Sequence, residues 1–258
     1  MTAVSQRPGL QAILLDIEGT TTPVAFVYDV LFPYARARLH HHLQQRVATT
    51  EYASLIDRLH DEYRQDRGAG HPVPAWVEGP PADRLPSVVE YACWLMDRDR
   101  KSTPLKELQG RIWEEGYRNG ELTGEVFPDV PPAFERWHSL GLTIAIFSSG
   151  SERAQQLLFR HSASGDLTRF IRAYFDTTIG SKTEAESYRR IAAALTIRAQ
   201  SVLFVSDVTR ELDAARTAGM DTRLSKRLGN PPSDDDRGHV AVRSFAEILP
   251  ATHDELHD

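Results

Sequence analysis

Residues 12–22 read Ala12-Ile13-Leu14-Leu15-Asp16-Ile17-Glu18-Gly19-Thr20-Thr21-Thr22, an apolar run that stops abruptly at two carboxylates and a turn. A short apolar run bounded by turn residues is the pattern of a strand buried on both faces, and Gly19 lets the chain leave it sharply. Strand alternation carried through the run places Asp16 and Glu18 on one face, around one metal or phosphate. In isolation an acid at a strand end is more often a solvated turn residue or a helix cap. Downstream, the pattern recurs.

A second apolar run, Thr143-Ile144-Ala145-Ile146-Phe147, ends in Ser148-Ser149-Gly150-Ser151 before a helical stretch from Glu152 to Phe159. Small hydroxyl residues and Gly at a strand-to-helix junction suit an anion, because backbone N–H groups and the helix N-terminus point at it. The plainer alternative is a simple cap, with Ser151 at the N-cap and Glu152 in the first turn. A third run, Val202-Leu203-Phe204-Val205, ends in Ser206-Asp207 and is followed by Glu211 and Asp213. Magnesium takes carboxylate oxygens and keeps several waters, so acids converging from separate strand ends make a plausible half-site; otherwise Asp207 caps the next helix and Glu211 and Asp213 solvate it. Between these runs Lys182 stands just before an amphipathic helix from Glu186 to Leu195. The helix dipole disfavours a cation there, which a bound anion would offset. A nucleotide-binding loop is excluded because Ser181 stands where its second glycine belongs, and there is no dinucleotide fingerprint.

The order acidic strand tip, Ser strand tip, lysine, acidic strand tip resembles the haloacid dehalogenase superfamily of phosphotransferases. Within it, the chain resembles the enolase-phosphatases of methionine salvage, also called acireductone synthases. That resemblance rests on Asp16-Ile17-Glu18-Gly19-Thr20-Thr21, Phe26-Val27-Tyr28-Asp29-Val30-Leu31-Phe32-Pro33-Tyr34-Ala35, Leu108-Gln109-Gly110-Arg111-Ile112-Trp113-Glu114-Glu115-Gly116-Tyr117, Phe147-Ser148-Ser149-Gly150-Ser151 and Lys182-Thr183-Glu184-Ala185-Glu186-Ser187-Tyr188. It runs from about Ile13 to Asn230. Glu18 replaces the second Asp of most superfamily phosphatases, Leu228 replaces Pro in Arg-Pro-Gly-Asn, and Ser181 replaces a common apolar residue.

The resemblance implies a magnesium-dependent phosphoric monoester hydrolase that enolises 2,3-diketo-5-methylthiopentyl-1-phosphate and then removes its phosphate, giving the acireductone. Asp16 is then the nucleophile and Glu18 the general acid and base. Asp16, Glu18 and Asp207 hold magnesium, Glu18 through its carboxylate or, by superfamily analogy, its backbone carbonyl. Ser148, Ser149 and Lys182 bind the phosphoryl group, and Glu211 orients Lys182 or a water. The nearest rival is a general magnesium-dependent small-molecule phosphatase on the same fold. A binding or regulatory protein without turnover is the rival from another class, and the intact set Asp16, Glu18, Ser148, Lys182 and Asp207 argues against it.

Apolar strands alternating with helices over 11–21 and 126–250 predict an α/β core domain with a doubly wound parallel sheet and ligands at the carboxyl ends of its strands. Residues 22–125 read as a helical cap domain, with helical periods over Val24 to Val47, Glu51 to Arg67, Leu85 to Asp99 and Leu105 to Gly116. The resemblance implies that this cap closes over the active site. With 30 basic and 36 acidic residues among 258, the net charge of −6 gives no electrostatic reason to expect nucleic acid or an anionic membrane surface. The expected partner is a small phosphate ester, and the resemblance implies a monomer. The single cysteine, Cys93, rules out an internal disulfide, fits a reducing cytoplasm and reads as a buried structural thiol. There is no signal peptide and no membrane-length apolar run. His40-His41-His42 cannot share an ion because consecutive helical residues point about 100° apart, so a solvated face is expected. Trp113 and Tyr117, four apart, read as core. Met1 to Leu10 is expected to be a flexible lead-in, and the acidic stretch Ser233-Asp234-Asp235-Asp236 is given no catalytic role.

Overall fold

The computed structural model describes residues 9–230 and 235–249, which leaves most of the N-terminal lead-in and Ser233-Asp234 outside the described residues. Contacts divide the chain into one unit that takes residues up to Val27 and from Thr123 onward, and a second unit, Tyr28–Leu122.

The first unit is built on a six-stranded sheet: β1 (Ala12–Leu15), β2 (Thr143–Phe147), β3 (Ile171–Phe175), β4 (Val202–Ser206), β5 (Asp221–Ser225) and β6 (Val240–Val242). The order is β3-β2-β1-β4-β5-β6, and every pairing is parallel. This is the doubly wound sheet expected from the sequence, with β1 at its centre. Helices α5 (Val130–Ser139), α6 (Glu152–Arg160), α7 (Ala185–Leu195) and α8 (Thr209–Thr217) connect the strands. All four residues of β1 are fully buried, which is why the strand reads as an unbroken apolar run rather than an alternating one. Register aligns Leu15 with Ile146 on one side and Val205 on the other. The residues that follow all three strands therefore emerge at one level, at the carboxyl edge where such sheets bind ligands.

The second unit is helical: α1 (Phe32–Arg46), α2 (Thr50–Gly68), α3 (Pro81–Met96) and α4 (Thr103–Arg118). The four periods read from sequence correspond to these helices. A π-helical stretch, Phe26–Leu31, precedes α1. Pro33 has no N–H to give the carbonyl of Asp29, so the regular ladder is interrupted there; separately, the carbonyl of Leu31 accepts from the indole of buried Trp113 at 2.7 Å. Trp113 and Tyr117 are core, as their spacing indicates. His40 and His41 are exposed, but His42 departs from the expected solvated face. It is buried, with Nδ1 2.9 Å from Glu115 and Nε2 2.6 Å from the Tyr52 hydroxyl, and burial pushes its pKa down. Cys93 is only half-buried, and burial raises its thiol pKa. Asp66 is also buried, accepting from Arg100 at 2.6 Å and from the Tyr91 hydroxyl at 2.8 Å. Among the described residues no helix is long and apolar enough to cross a membrane.

Candidate active site

Asp16 is the first residue beyond β1 and is 4% exposed. Past it the chain wraps onto a single carbonyl: the N–H groups of Thr20, Thr21 and Thr22 all donate to Ile17 O, and Gly19 N–H donates to Thr22 O. This turn, not strand alternation, sets the directions of Asp16 and half-buried Glu18, because β1 ends at Leu15. Asp16 Oδ1 accepts from its neighbour's N–H (Ile17, 2.8 Å) and from Lys182 Nζ at 2.6 Å.

Lys182 reaches this point because α7 grips the loop before it. The Tyr188 hydroxyl donates to Lys182 O and the Ser187 hydroxyl to Ser181 O, both at 2.7 Å. Tyr188 is fully buried, edge-on to Phe147 and Phe204. The ammonium bridges two acids, lying 2.7 Å from Glu211 Oε2 as well as 2.6 Å from Asp16. Burial alone would lower its pKa; the two carboxylates outweigh that and raise it.

Ser206, the last residue of β4, places its hydroxyl 3.2 Å from Asp16 Oδ2 and 3.0 Å from Glu211 Oε2, while accepting from Val208 N–H. A hydroxyl carries one proton, so it serves one of those acids at a time. Asp207 follows. The N-cap of α8 is Val208, so Asp207 is not the cap of that helix. Burial, then Asp16 and Glu211, push the Asp207 carboxyl up to about 7; burial and Asp16 do the same to Glu211. Asp213 lies apart from this cluster, paired with Arg216, Arg237 and His239.

Gly19 fits between these elements because it has no side chain. Its φ is +69°, and a Cβ would stand 2.2 Å from Asp207 Oδ2 and 2.9 Å from Asn230 Nδ2. The end of β5 and the loop after it clamp the same turn: Ser225 Oγ and Asn230 Nδ2 donate to Gly19 O, and the buried Arg227 guanidinium donates to Thr20 O. Arg227 also binds Asp129 at 2.6 Å. Ser206, Arg227 and Asn230 belong to the site's framework without having been picked out from sequence. At the tip of β2, Ser148 is buried and accepts from Gly150 N–H, Ser149 is half-buried, and Ser151 caps α6 by accepting from Ala154 N–H. Asp16, Lys182, Glu211 and Asp207 are thus brought together directly, while Glu18, Ser148 and Ser149 occupy the adjoining strand-tip loops.

Asp16 and Glu211 share one ammonium, and half-buried Asp207 adds a third carboxyl whose pKa both acids raise, an excess of acidic groups over cations. Among the described residues no three His, Cys, Asp or Glu side chains are grouped to hold a metal, so the side chains of Asp16, Glu18 and Asp207 do not form such a trio. Two carboxylates and a main-chain carbonyl are nevertheless hard oxygen donors, and magnesium is commonly held by one or two carboxylates with water and phosphate completing its shell. The residues fit that ion.

Residues 10–219 match the family profile of haloacid dehalogenase-like hydrolases. Enolase-phosphatase E1 of Synechococcus elongatus is 53% identical over 221 residues, covering 86% of this chain and 90% of that protein. The chain belongs to the enolase-phosphatases of the haloacid dehalogenase-like hydrolases. The Drosophila mojavensis enolase-phosphatase E1 is 44% identical over 222 residues, covering 86% of this chain and 87% of its own. Among solved structures, the UTR4 protein of Saccharomyces cerevisiae superposes with a TM-score of 0.74 at 31% identity, covering 92% of this chain and 98% of that one. The enolase-phosphatase resemblance read from the strand-tip motifs is thereby established, as is the α/β fold.

Proposed function

We propose that Asp16 is the nucleophile with which this enolase-phosphatase hydrolyses its phosphate ester. The reaction converts 2,3-diketo-5-methylthiopentyl-1-phosphate, through its enol phosphate, to the acireductone and inorganic phosphate in methionine salvage. The observation that carries the assignment is the buried Lys182 ammonium seated between Asp16 and Glu211 at the carboxyl edge of the sheet.

In this reading Asp16 attacks phosphorus in line; the Asp16 O–P bond forms as the ester O–P bond breaks. Glu18 protonates the leaving oxygen, then takes a proton from the water that splits the aspartyl-phosphate and regenerates Asp16. Lys182 and the Ser148 and Ser149 hydroxyls balance charge on the phosphoryl oxygens. Glu211 holds the ammonium on the nucleophile side, and Ser206 fixes the second oxygen of Asp16. Magnesium would be held by Asp16, Asp207 and the main-chain carbonyl of Glu18, and would supply Lewis-acid charge neutralisation for the phosphoryl group and the dicarbonyl. A monomer in a reducing cytoplasm, meeting a small phosphate ester, completes the reading, which the free thiol of Cys93 supports.

The test follows phosphate release from the diketo ester in magnesium together with ultraviolet absorbance of the enol. The wild type should show an enol transient ahead of phosphate. Asp16→Asn should lower phosphate release by a factor on the order of 10³ or more. Phosphate released from unrelated esters, with this compound untouched, would instead identify a general phosphatase.

A further inference from the structure

Gln155 lies in the first turn of α6 and is 1% exposed, a buried amide in a position that packing alone would give to an apolar residue. Its Nε2 donates to Gly150 O and to Phe175 O, each at 2.8 Å. Both amide protons are therefore used, and a flipped amide would set Oε1 against two carbonyl oxygens, so the orientation is fixed. Oε1 itself is buried with no partner among the described residues. Phe175 O, at the tip of β3, also accepts from Ser148 N–H at 3.2 Å. The turn Ser148–Ser151 is thus tied to β3 at both ends, at Ser148 through its own N–H and at Gly150 through the glutamine. In a trans peptide the carbonyl of Gly150 and the N–H of Ser151 point in opposite directions. Gripping that carbonyl from the core turns the Ser151 N–H away from Gln155.

We propose that Gln155 is a positioning residue for phosphoryl binding: it sets the Ser148–Ser151 turn so that its hydroxyl and N–H groups converge on the anion. The inference rests on that turn being the phosphoryl site. The amide holds the Gly150 and Phe175 carbonyls while its own oxygen stays buried without a partner, so it fixes the turn at a cost in stability.

The test uses inorganic phosphate as a competitive inhibitor of the full-length enzyme in magnesium, with Gln155→Met, Ser148→Ala and the double variant. Gln155→Met keeps the length and removes the donors. It should raise the phosphate inhibition constant and KM together by about five- to tenfold, with kcat changed less than about twofold. A merely structural role would lower the active fraction, and with it kcat, and leave the inhibition constant alone. In the double variant the two effects should combine to less than their product, because both act through one turn. Should Gln155→Met fail to fold, Gln155→Asn, which keeps an amide but is one methylene too short to hold both carbonyls, should raise the inhibition constant in its place. An unchanged inhibition constant in a folded Gln155 variant, while Ser148→Ala weakens phosphate binding, overturns the proposal. Unchanged binding in Ser148→Ala overturns the reading of the turn itself.

Discussion

In the helical unit Asp66 meets one guanidinium, from Arg100, and one hydroxyl, from Tyr91. In the sheet unit Asp16 and Glu211 share one ammonium, from Lys182, and Asp207 feels the charge of both acids. Asp66, Asp16 and Glu211 are buried, so each of these acids carries a desolvation cost that only partners can offset. Around Asp66 the charges cancel and each carboxylate oxygen has a donor. Around Lys182 they do not cancel, and two of the three acids are pushed up to about 7. A network that only holds helices together is neutral, whereas under the proposed function the second awaits a cation and carries its imbalance in advance.

Removing one acid from each cluster should act in opposite directions. Asp66→Asn leaves Arg100 without its counter-charge and should cost about 2–3 kcal/mol, read as a lower denaturant midpoint, with phosphate-release kcat unchanged within about twofold. Asp207→Asn relieves part of the surplus and should stabilise the chelator-treated protein by about 0.5–2 kcal/mol while abolishing magnesium-dependent turnover. Magnesium should raise the melting temperature of the wild type and not of this variant. A loss of stability in Asp207→Asn would break the distinction between the clusters.

A neutral pair inside the sheet unit sharpens the comparison. Burial raises the Asp129 pKa, but hydrogen bonds from the Arg227 guanidinium, the Phe245 N–H and the Ser244 hydroxyl outweigh it and hold the carboxyl below its ordinary value. A carboxyl whose folded pKa is depressed contributes stability above its unfolded pKa, about 3.9, and loses that contribution as pH falls through the folded value. Asp129→Asn should therefore cost about 0.5–1.5 kcal/mol near pH 7, and the gap to wild type should close below about pH 4. Urea midpoints measured from pH 3 to pH 8 would show it.

What could be read in the sequence follows from burial. β1, β2 and β4 are the sheet's central strands, covered on both faces, so each is an uninterrupted apolar run ending in turn chemistry. β3 and β5 carry Arg172, Asp221 and Arg223 within them, and β6 is three residues long. Nearer the sheet edges their faces are partly open, and the apolar signal dilutes. Asp16, Lys182 and Asp207 were legible because each follows a strand or precedes a helix in a recognisable order. Arg227 and Asn230 stand in the Arg-Leu-Gly-Asn stretch, but their role is not legible there, since their partners Thr20 and Gly19 lie some two hundred residues away and neither follows an apolar run. The burial of His42 is not legible in the sequence because its neighbours are exposed while its own partners, Tyr52 and Glu115, come from two other helices.

The position of β1 at the middle of the sheet also bears on how the chain is made. Its neighbours begin at Thr143 and Val202, so during synthesis the most apolar strand leaves the ribosome with neither edge covered. At common elongation rates the first of those neighbours follows on the order of ten seconds later. The helices of Tyr28–Leu122 are contiguous in the chain and can assemble in that interval. The strand that leads to Asp16 is thus the first of the six to be translated and waits longest for a neighbour on each edge, which makes the growing polypeptide a natural client for chaperones that shield nascent hydrophobic segments.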